Sequence, residues 1–273
     1  MKVNKVWAAY FTANGSTELV TTRIAANLAS RFDCDYKVYE FGKVNARRKP
    51  LKFDKGDMVV LGVPTYAGRV PNVLLDYLKK MVGTGCIGLP VVTFGNRAYD
   101  DSLIELRDLM ESAGIRCVAG CAMAAEHAFS TTLGAGRPDE DDMMELWPFI
   151  SSVVEKVESA DEFEMIEVPG EPAPYRPYYV AKDADGNPLD FLKAKPVTDP
   201  KKCRKCRKCV PKCPVDAIDY NEPSMITGKC IKCGACIKFC KRQAKSFDDP
   251  GYVYHKEFLE KTYTERAKNE FFF

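Results

Sequence analysis

The sequence predicts an α/β domain built on a doubly wound parallel sheet, followed by a small cysteine-rich domain. Apolar strand-like segments alternate with helical patterns along residues 1–160. Eight of the twelve cysteines fall between Cys203 and Cys240. Nearly continuous apolar strands joined by helices form parallel sheets that are covered on both faces. The chain of 273 residues leaves room for both domains.

The chain divides into four predicted segments. After the α/β domain, Pro169, Pro172, Pro174 and Pro177 lie close together, as in a semi-rigid spacer. Two stretches then flank Asp-Gly-Asn-Pro, which predicts a hairpin. The last residues predict a short helix and a docked end, with an exposed, frayed end as the alternative. The segments are the α/β domain (1–160), a linker whose hairpin pairs Tyr178–Lys182 with Leu189–Lys193 (161–196), the cysteine domain (197–248) and a tail (249–273).

Five strands and four helices are predicted in the α/β domain. Short apolar runs predict the strands, and apolar residues at helical spacing, such as Leu103, Leu106 and Met110, predict the helices. Asp100 or Asp101 is a predicted N-cap of the third helix. The predicted strands are Val3–Tyr10, Tyr36–Tyr39, Met58–Gly62, Val91–Phe94 and Cys117–Met123, and the predicted helices are Thr17–Ala29, Asn72–Met81, Asp101–Ala113 and Glu140–Val157.

The loop after the first strand has the composition of an anion-binding site. It leads directly into a helix, so backbone N–H groups and hydroxyls can hold a phosphate. It lacks the Gly-Lys-Ser/Thr of a P-loop and the G-x-G-x-x-G of adenine dinucleotide sites. Residues of these types also cap ordinary helices. The uncharged loop resembles the flavin mononucleotide (FMN) phosphate loop of flavodoxins. The predicted phosphate contacts are Thr12, Ala13, Asn14, Gly15, Ser16 and Thr17.

Two further loops follow the third and fourth predicted strands, and each carries glycine and an aromatic residue. Ligands bind beyond the carboxyl ends of the strands in such sheets. Flavodoxin-like proteins hold the isoalloxazine ring of flavin from these positions. Alternatively, Tyr66 and Tyr99 cap the core. The predicted ring contacts are Pro64, Thr65, Tyr66, Ala67, Gly68, Gly95, Asn96, Arg97, Tyr99 and Asp100.

The eight clustered cysteines form two runs of the same shape. Each has the spacing C-x₂-C-x₂-C-x₃-C, which is that of bacterial ferredoxins, where the fourth cysteine binds the other run's cluster. Two [4Fe–4S] clusters are therefore predicted. Lys241 stands where the first run has Pro214, but this removes no ligand. Cys203, Cys206, Cys209 and Cys240 are predicted to hold one cluster, and Cys230, Cys233, Cys236 and Cys213 the other.

Zinc and disulfides are the alternatives for these cysteines. Zinc sites usually take two cysteine pairs separated by a dozen or more residues, around one tetrahedral ion. Each run here has three equally spaced cysteines and a fourth, which zinc does not require. A disulfide framework is less expected, because no secretion signal is found at the start of the chain. The other four cysteines, Cys34, Cys86, Cys117 and Cys121, are interpreted as packing residues.

The whole chain resembles the bacterial fusion proteins in which a flavodoxin-like domain precedes a two-cluster ferredoxin. The resemblance covers nearly the full length. It rests on the three loops, on Ala125–Ser130 and on the eight cysteines. It implies a flavodoxin-like doubly wound parallel sheet followed by a small ferredoxin-like domain. It also implies bound FMN and electron exchange between flavin and clusters, without settling a partner or substrate.

Two residues are candidates for catalysis. His127 follows the fifth predicted strand and could donate a proton to reduced flavin or to a substrate. Arg97 could face the flavin and stabilise its anionic reduced ring. The alternatives are a structural histidine and a solvated loop charge. We expect Tyr66, Tyr99, Arg97 and His127 to line the junction between the ring and the nearer cluster; which cluster is nearer is not predicted.

Charge and composition bear on partners. The basic segment 201–213 contains no acid. It could dock an acidic redox partner, such as a ferredoxin or flavodoxin, or compensate the negative charge of a cluster. The net charge of +2 and the lack of a stacking platform argue against nucleic acid. No stretch of 18 apolar residues predicts a membrane span. Reduced thiols indicate the cytoplasm, and paired clusters suit an anaerobe.

The leading functional hypothesis is a redox protein that transfers electrons between two [4Fe–4S] clusters and FMN. It would act as a flavin-dependent reductase of a small organic acceptor, supplied with low-potential electrons. The alternatives are a non-catalytic electron shuttle and a redox or iron sensor. An open pocket over the flavin beside His127 would favour the enzyme. A flavin edge packed shut against the cluster domain would favour the shuttle. The oligomeric state is not predicted.

Overall fold

Strands and helices alternate along the first part of the chain. The structure, a computed structural model, describes residues 2–160 and 162–273. The strands are β1 (Lys5–Tyr10), β2 (Asp35–Glu40), β3 (Lys52–Phe53), β4 (Asp57–Pro64), β5 (Val82–Gly83), β6 (Cys86–Phe94), β7 (Ile115–Cys117), β8 (Gly120–Ala124), β9 (Val197–Thr198), β10 (Lys245–Ser246) and β11 (Glu270–Phe272). The helices are α1 (Ser16–Arg31), α2 (Asn72–Leu78), α3 (Ser102–Ser112), α4 (Glu140–Ser159), α5 (Ala235–Lys238) and α6 (Pro250–Thr262).

Seven strands form one sheet. Its spatial order is β2, β1, β4, β6, β8 and β11, and β7 pairs with the first part of β6. All neighbours are parallel except β11, which runs antiparallel beside β8. Numbered along the chain, the long parallel strands β1, β2, β4, β6 and β8 stand in the order 2-1-3-4-5. This is the flavodoxin-like order of doubly wound folds. The predicted fold of this domain is therefore confirmed.

Side chains from both faces of the sheet are buried. On β4, Val59 and Leu61 point into one core cluster, and Met58 and Val60 point into the other. Helices α2 and α3 cover the first face, and α1 and α4 cover the second. Because both faces are covered, the ends of the strands are where the sheet can present a binding site.

The predicted strands and helices of this domain are present, with ends shifted by a few residues and one exception. The predicted strand Cys117–Met123 is two strands, β7 and β8. Their pairing with β6 stops after Gly88 and resumes at Val91. Pro90 lies in this gap and has no N–H to donate, so the pairing is interrupted there. Asp101 occupies the N-cap of α3, as predicted, but its side chain makes no capping hydrogen bond.

The linker packs against the α/β domain. The Asp101 carboxylate accepts the backbone N–H groups of Glu171 and Arg176 at 3.0 and 2.8 Å. The predicted hairpin forms only as a turn closed by a single bridge between Lys182 and Pro188, without strands on either side. Since Pro188 has no N–H, it cannot extend the pairing.

The tail completes the sheet. Helix α6 starts with Pro250, and the Asp249 carboxylate caps it by accepting the Tyr252 N–H at 3.0 Å. A helix and a docked end were predicted and are confirmed, but the edge strand β11 was not predicted. Asn269 fixes it by accepting the Ala124 N–H at 2.9 Å and donating to the buried Asp142 carboxylate.

The cysteine-rich lobe has little regular structure. Strands β9 and β10 pair its two ends, and α5 is its single short helix. Its small apolar cluster contains Ala217 and Ile218 together with Cys213. Across residues 2–160 and 162–273, every helix is too short or too polar to cross a membrane. The predicted segment boundaries at residues 160, 196 and 248 remain predictions.

Candidate cofactor sites

A cavity of about 470 Å³ lies at the carboxyl edge of the sheet. Its inner wall consists of the loops that follow β1, β4, β6 and β8. Its outer wall comes from the linker, the cysteine-rich lobe and α6. The volume falls within the range of small-molecule sites, about 300–1,000 Å³. The predicted residues that line it are Thr12, Ala13, Asn14, Ser16, Thr17, Pro64, Thr65, Tyr66, Ala67, Gly68, Gly95, Arg97 and His127.

Tyr99 does not line this cavity. It is 7% exposed, and its ring packs on Phe94 with centroids 5.4 Å apart. Its hydroxyl donates to Glu270 Oε2 at 2.8 Å. The prediction that Tyr99 faces the flavin junction is therefore wrong. The reason is β11, which brings the Glu270 acceptor to the sheet edge.

Three other predicted contacts have supporting positions instead. Gly15 is the N-cap of α1 with φ +99°, and its N–H donates to Thr12 Oγ1 at 2.9 Å. Asn96 Nδ2 donates to the carbonyls of Tyr263 and Glu265, which ties down the tail. The Asp100 carboxylate pairs with Arg97. These residues shape the walls of the cavity, and they are not found among its lining residues.

The predicted phosphate loop has donors that the chain itself leaves free. No side chain caps the N-terminus of α1. Among the described residues, Ser16 Oγ makes no hydrogen bond, and Asn14 Nδ2 uses one of its two N–H groups on the Cys233 carbonyl, which leaves the other as a donor. Asn14 Oδ1 is buried without a partner and can only accept. Thr17 is less available, because its hydroxyl pairs with Thr93 Oγ1 at 2.7 Å. A helix N-terminus with free hydroxyl and amide groups fits a phosphate.

His127 occupies the position where the loop after β8 meets the cavity. The Phe129 N–H donates to its Nδ1 at 3.1 Å, so the neutral ring carries its proton on Nε2. Burial, and next the positive charge of Lys238, lowers the pKa of His127 to about 4. Gly95 permits this packing, because a Cβ there would lie 2.3 Å from the His127 ring. His127 is therefore a neutral imidazole at pH 7.

Arg97 lines the cavity but is not a free cation. Its guanidinium pairs with Asp100 and lies 4.6 Å from the centre of the Tyr179 ring. The Asp100 carboxylate thus neutralises it locally. The sequence suggested that Arg97 stabilises an anionic reduced flavin as a free cation. The Arg97–Asp100 pair has no net charge and would act on the flavin only through its dipole, which is a weaker effect.

Four of the eight predicted cluster ligands share one small cavity. We call Cys213, Cys230, Cys233 and Cys236 the inner set; all four line it, with apolar neighbours such as Ile218. Backbone N–H groups already point at two of these sulfurs, from Ala217 to Cys213 at 3.2 Å and from Lys232 to Cys230 at 3.4 Å. Thiolates accepting N–H groups in an apolar shell are typical of iron–sulfur ligands.

The other four predicted ligands form the outer set, Cys203, Cys206, Cys209 and Cys240. Cys206 is exposed, whereas Cys213 and Cys233 of the inner set are buried. Burial is the main cause that raises the pKa of Cys209, and the nearby Cys240 and Cys203 add to it. No three His, Cys, Asp or Glu side chains of the described chain converge as ligands of a single metal ion do. The cluster assignment therefore rests on spacing and on the shared cavity.

We call the cavity at the carboxyl edge of the sheet the flavin-type cavity, because the predicted flavin-binding residues line it, and the inner set lies against it. Asn14 Nδ2 donates to the Cys233 carbonyl at 2.9 Å. Gly234, with φ +72°, packs so closely on Ala128 that a Cβ would lie 2.4 Å from its carbonyl oxygen. Lys238 donates to the His127 carbonyl at 2.7 Å. The inner set is thus the cysteine set nearer to the flavin-type cavity. The sequence did not predict which of the two sets this would be.

Tyr66 fills the space between the two sites. Its hydroxyl is buried without a hydrogen-bond partner. Burial, and next the charges of Cys233 and Cys230, raises the pKa of Tyr66. Tyr66 and His127 thus contact the inner cysteine loop as predicted, whereas Arg97 lines the cavity beside Tyr179 and Asp100.

Sequence reasoning missed the outer wall of the cavity. Tyr179 and Phe191 come from the linker, Lys232 from the inner cysteine loop, and His255 from α6. Two weak signals were available: the aromatic residues of the linker, and the fact that His255 is one of only two histidines. Neither signal shows which domain these side chains meet.

Comparison with known proteins gave matches to both parts of the chain. The profile of a family described as a 4Fe-4S dicluster domain matches residues 195–246. Similar solved structures include a flavodoxin from the domain Archaea, with 15% identity, TM-score 0.40, and coverage of 56% of this chain and 99% of that chain. A Streptococcus pneumonia TIGR4 flavodoxin has 17% identity, TM-score 0.40, and coverage of 56% and 99%. Flavodoxin 2 from Bacillus cereus has 16% identity, TM-score 0.41, and coverage of 56% and 99%. The comparison with curated proteins found no significant match.

The chain thus joins a flavodoxin-like domain to a ferredoxin-like dicluster domain. The first part of this statement depends on the strand order 2-1-3-4-5, and the second on the matched residues 195–246. Together they support an electron-transfer redox protein with iron–sulfur and flavin cofactors.

Proposed function

We propose that this protein passes electrons between two [4Fe–4S] clusters and FMN and reduces a small organic acceptor at the flavin. One observation carries the proposal: Ile231 and Lys232 of the inner cysteine loop form part of the wall of the flavin-type cavity. A flavin in that cavity would lie directly beside the inner cluster. Electron transfer depends steeply on distance, so this juxtaposition favours a relay.

The chain supplies groups for each part of the flavin. The N-terminus of α1, the Ser16 hydroxyl and the second N–H of Asn14 Nδ2 would bind the phosphate. The loops at Thr65–Gly68 and Gly95–Arg97 would hold the ring. A bound flavin converts between one-electron and two-electron chemistry.

The walls of the cavity support reduction of a small molecule. The acceptor would gain two electrons, which a low-potential carrier protein supplies one at a time, and two protons from solvent. His127 lines the cavity as a neutral ring with a proton on Nε2, so it can hold a polar group of a ligand. Phe129, whose ring meets the His127 ring edge-on at 5.2 Å, and Phe191 give the cavity apolar walls. A cavity beside His127 is the feature that favours an enzyme over a shuttle.

The outer set offers an entry point for electrons. Cys206 is exposed, and Lys201, Arg204 and Lys208 around it are exposed as well. Within the described residues none of these three makes an ion pair, whereas Lys205 pairs with Glu222. We infer that an acidic electron carrier docks here, since unpaired cations steer anionic partners. Raising the ionic strength should then slow its reduction of the clusters.

Cofactor analysis of the anaerobically purified protein tests the proposal. We expect about eight iron and eight sulfide ions per chain, as two cubic clusters require, and one FMN. Dithionite should reduce both cofactor types, with cluster signals appearing in the electron paramagnetic resonance spectrum. Stoichiometric zinc without sulfide, or release of FAD instead of FMN, would overturn the assignment.

A further inference from the structure

The outer wall of the cavity contains an aromatic group that lies outside the flavodoxin-like domain. His255 of α6 packs against Tyr179 and Phe191 of the linker, whose ring centroids each lie 5.8 Å from its own. The ring planes differ by 29° and 23°, so the imidazole is held nearly parallel to both. Phe129 meets it edge-on at 6.3 Å. Phe258 of the same helix lies 6.4 Å away at an interplanar angle of 18°, so four aromatic rings fix one orientation of His255.

Neither ring nitrogen of His255 has a hydrogen-bond partner among residues 2–160 and 162–273. The residue is 6% exposed and lines the cavity. Its Nδ1 is fully enclosed, whereas its Nε2 keeps accessible surface, so Nε2 is the atom that a ligand would meet. His127 differs, because a backbone N–H satisfies its Nδ1. Buried polar side chains are usually paired. An imidazole that stays unpaired in the wall of a cavity indicates a missing partner, and the cavity is where a ligand can supply it.

The charges around His255 define the ligand class. Burial, and next the positive charge of Arg97, lowers the pKa of His255, so its imidazole is neutral at pH 7. Arg97 is already paired with Asp100, and Lys238 with Glu126. Lys232 also lines the cavity and has no carboxylate partner among the described residues, but it donates to the Leu192 carbonyl at 3.0 Å and lies beside Cys230 of the inner set, whose negative charge it would balance. A carboxylate bound here would compete with the inner set for this cation, and burying it would be costly. An uncharged group that hydrogen-bonds to a neutral ring avoids that cost.

We propose that His255, Tyr179, Phe191 and Phe129 form a subsite for a planar, uncharged, conjugated carbonyl compound, whose oxygen hydrogen-bonds to the His255 imidazole. Flat aromatic surfaces favour a flat ligand, since offset and edge-on ring contacts add to the burial of apolar area. The proposal rests on the proposed function, in which this compound would be the acceptor. The subsite adjoins the predicted flavin-binding loops, since Arg97 lies 4.6 Å from the centre of the Tyr179 ring and Phe129 comes from the loop after β8.

A titration of the oxidised holoprotein with 2-acetonaphthone tests the subsite. Two probes of similar shape serve as controls: 2-naphthoate carries a charge, and 2-ethylnaphthalene lacks the carbonyl. We expect both to bind about tenfold more weakly than the ketone. His255→Phe keeps an aromatic ring in the wall and removes the nitrogen atoms, so it should weaken ketone binding about tenfold. Tyr254→Phe, at an exposed position of the same helix, is the matched control and should change nothing.

Iron and flavin content are measured for every variant. Unchanged ketone affinity in His255→Phe would overturn the subsite, as would 2-naphthoate binding as tightly as the ketone. Loss of flavin from His255→Phe, with iron intact, would assign His255 to the flavin site instead. Reduction of flavin through the clusters is followed in the same preparations. If that relay fails while the ketone binds as expected, the proposed function is wrong and the subsite stands.

Discussion

Replacing Asn14 with alanine should weaken FMN binding chiefly when the inner set holds its cluster. Asn14 lies in the phosphate loop, and its Nδ2 donates to the Cys233 carbonyl at 2.9 Å in a partly buried contact. A hydrogen bond of this kind contributes about 1 kcal/mol, which corresponds to roughly a fivefold change in an equilibrium constant. The bound cluster fixes the cysteine loop and thereby the Asn14 amide. We therefore expect FMN affinity to fall about fivefold in the cluster-loaded protein.

The assay compares four proteins under anaerobic conditions. They are the native protein, Asn14→Ala, Cys236→Ser and the double variant that carries both changes. FMN is removed from each protein and titrated back, and FMN fluorescence reports binding. Asn14→Ala lowers the free energy of FMN binding by one amount with the inner cluster and by another without it. The difference between these two amounts is the coupling free energy. Without the inner cluster, the loss should be less than about twofold, because the partner carbonyl is no longer fixed. Asn221→Ala, at an exposed site of the cysteine-rich lobe, should leave affinity unchanged. An equal loss with and without the cluster would refute the reasoning.

Three further predictions concern the individual walls of the site. Gly15→Glu should abolish FMN retention, because it adds negative charge at the phosphate loop and backbone strain at φ +99°. Gly85→Glu, at φ +73° in an exposed loop, is the control. Retained FMN in Gly15→Glu would place the phosphate elsewhere. Tyr99→Phe should lower the free energy of unfolding by about 1 kcal/mol and leave FMN content unchanged, because it removes only the hydrogen bond to Glu270; loss of FMN would show that Tyr99 does contact the ring. The pKa of His127 is lowered from 6.5 to about 4 in the folded protein, so the unfolded chain binds this proton more readily. The free energy of unfolding should therefore fall as the pH is lowered from 6.5 to 4, by up to about 3 kcal/mol more in the native protein than in His127→Gln. Urea unfolding at a series of pH values measures this. Identical pH profiles of the two proteins would contradict the prediction.

The parts of the molecule that local sequence determines could be predicted. Alternating apolar segments and helical spacing predicted the parallel sheet, since burial on both faces requires those patterns. The cysteine spacing predicted which residues share a cluster, and Cys213 does lie with Cys230, Cys233 and Cys236 around one cavity. The loops after β1, β4 and β6 were predicted at the binding edge because parallel strands bring their carboxyl ends together.

Contacts between residues distant in the chain could not be predicted. Tyr99 turns into the core because Glu270, 171 residues away, accepts its hydroxyl. The outer wall depends on how the linker and α6 fold back over the sheet, which composition does not specify. The inner position of one cysteine set likewise follows from the Asn14–Cys233 contact, across 219 residues. Local patterns predict elements, whereas such pairings depend on packing of the whole chain.

The most direct measurement is the rate at which a low-potential electron carrier reduces the bound flavin, followed by stopped-flow absorbance. The native protein is compared with Cys236→Ser, which removes one ligand of the inner set and leaves the outer set and the phosphate loop unaltered. Because the inner cysteine loop lines the cavity and the outer cysteines are not among its lining residues, flavin reduction should slow by at least about a hundredfold while FMN content is preserved. Flavin reduced equally fast in both proteins would contradict the relay and leave the clusters without a role in reducing the flavin.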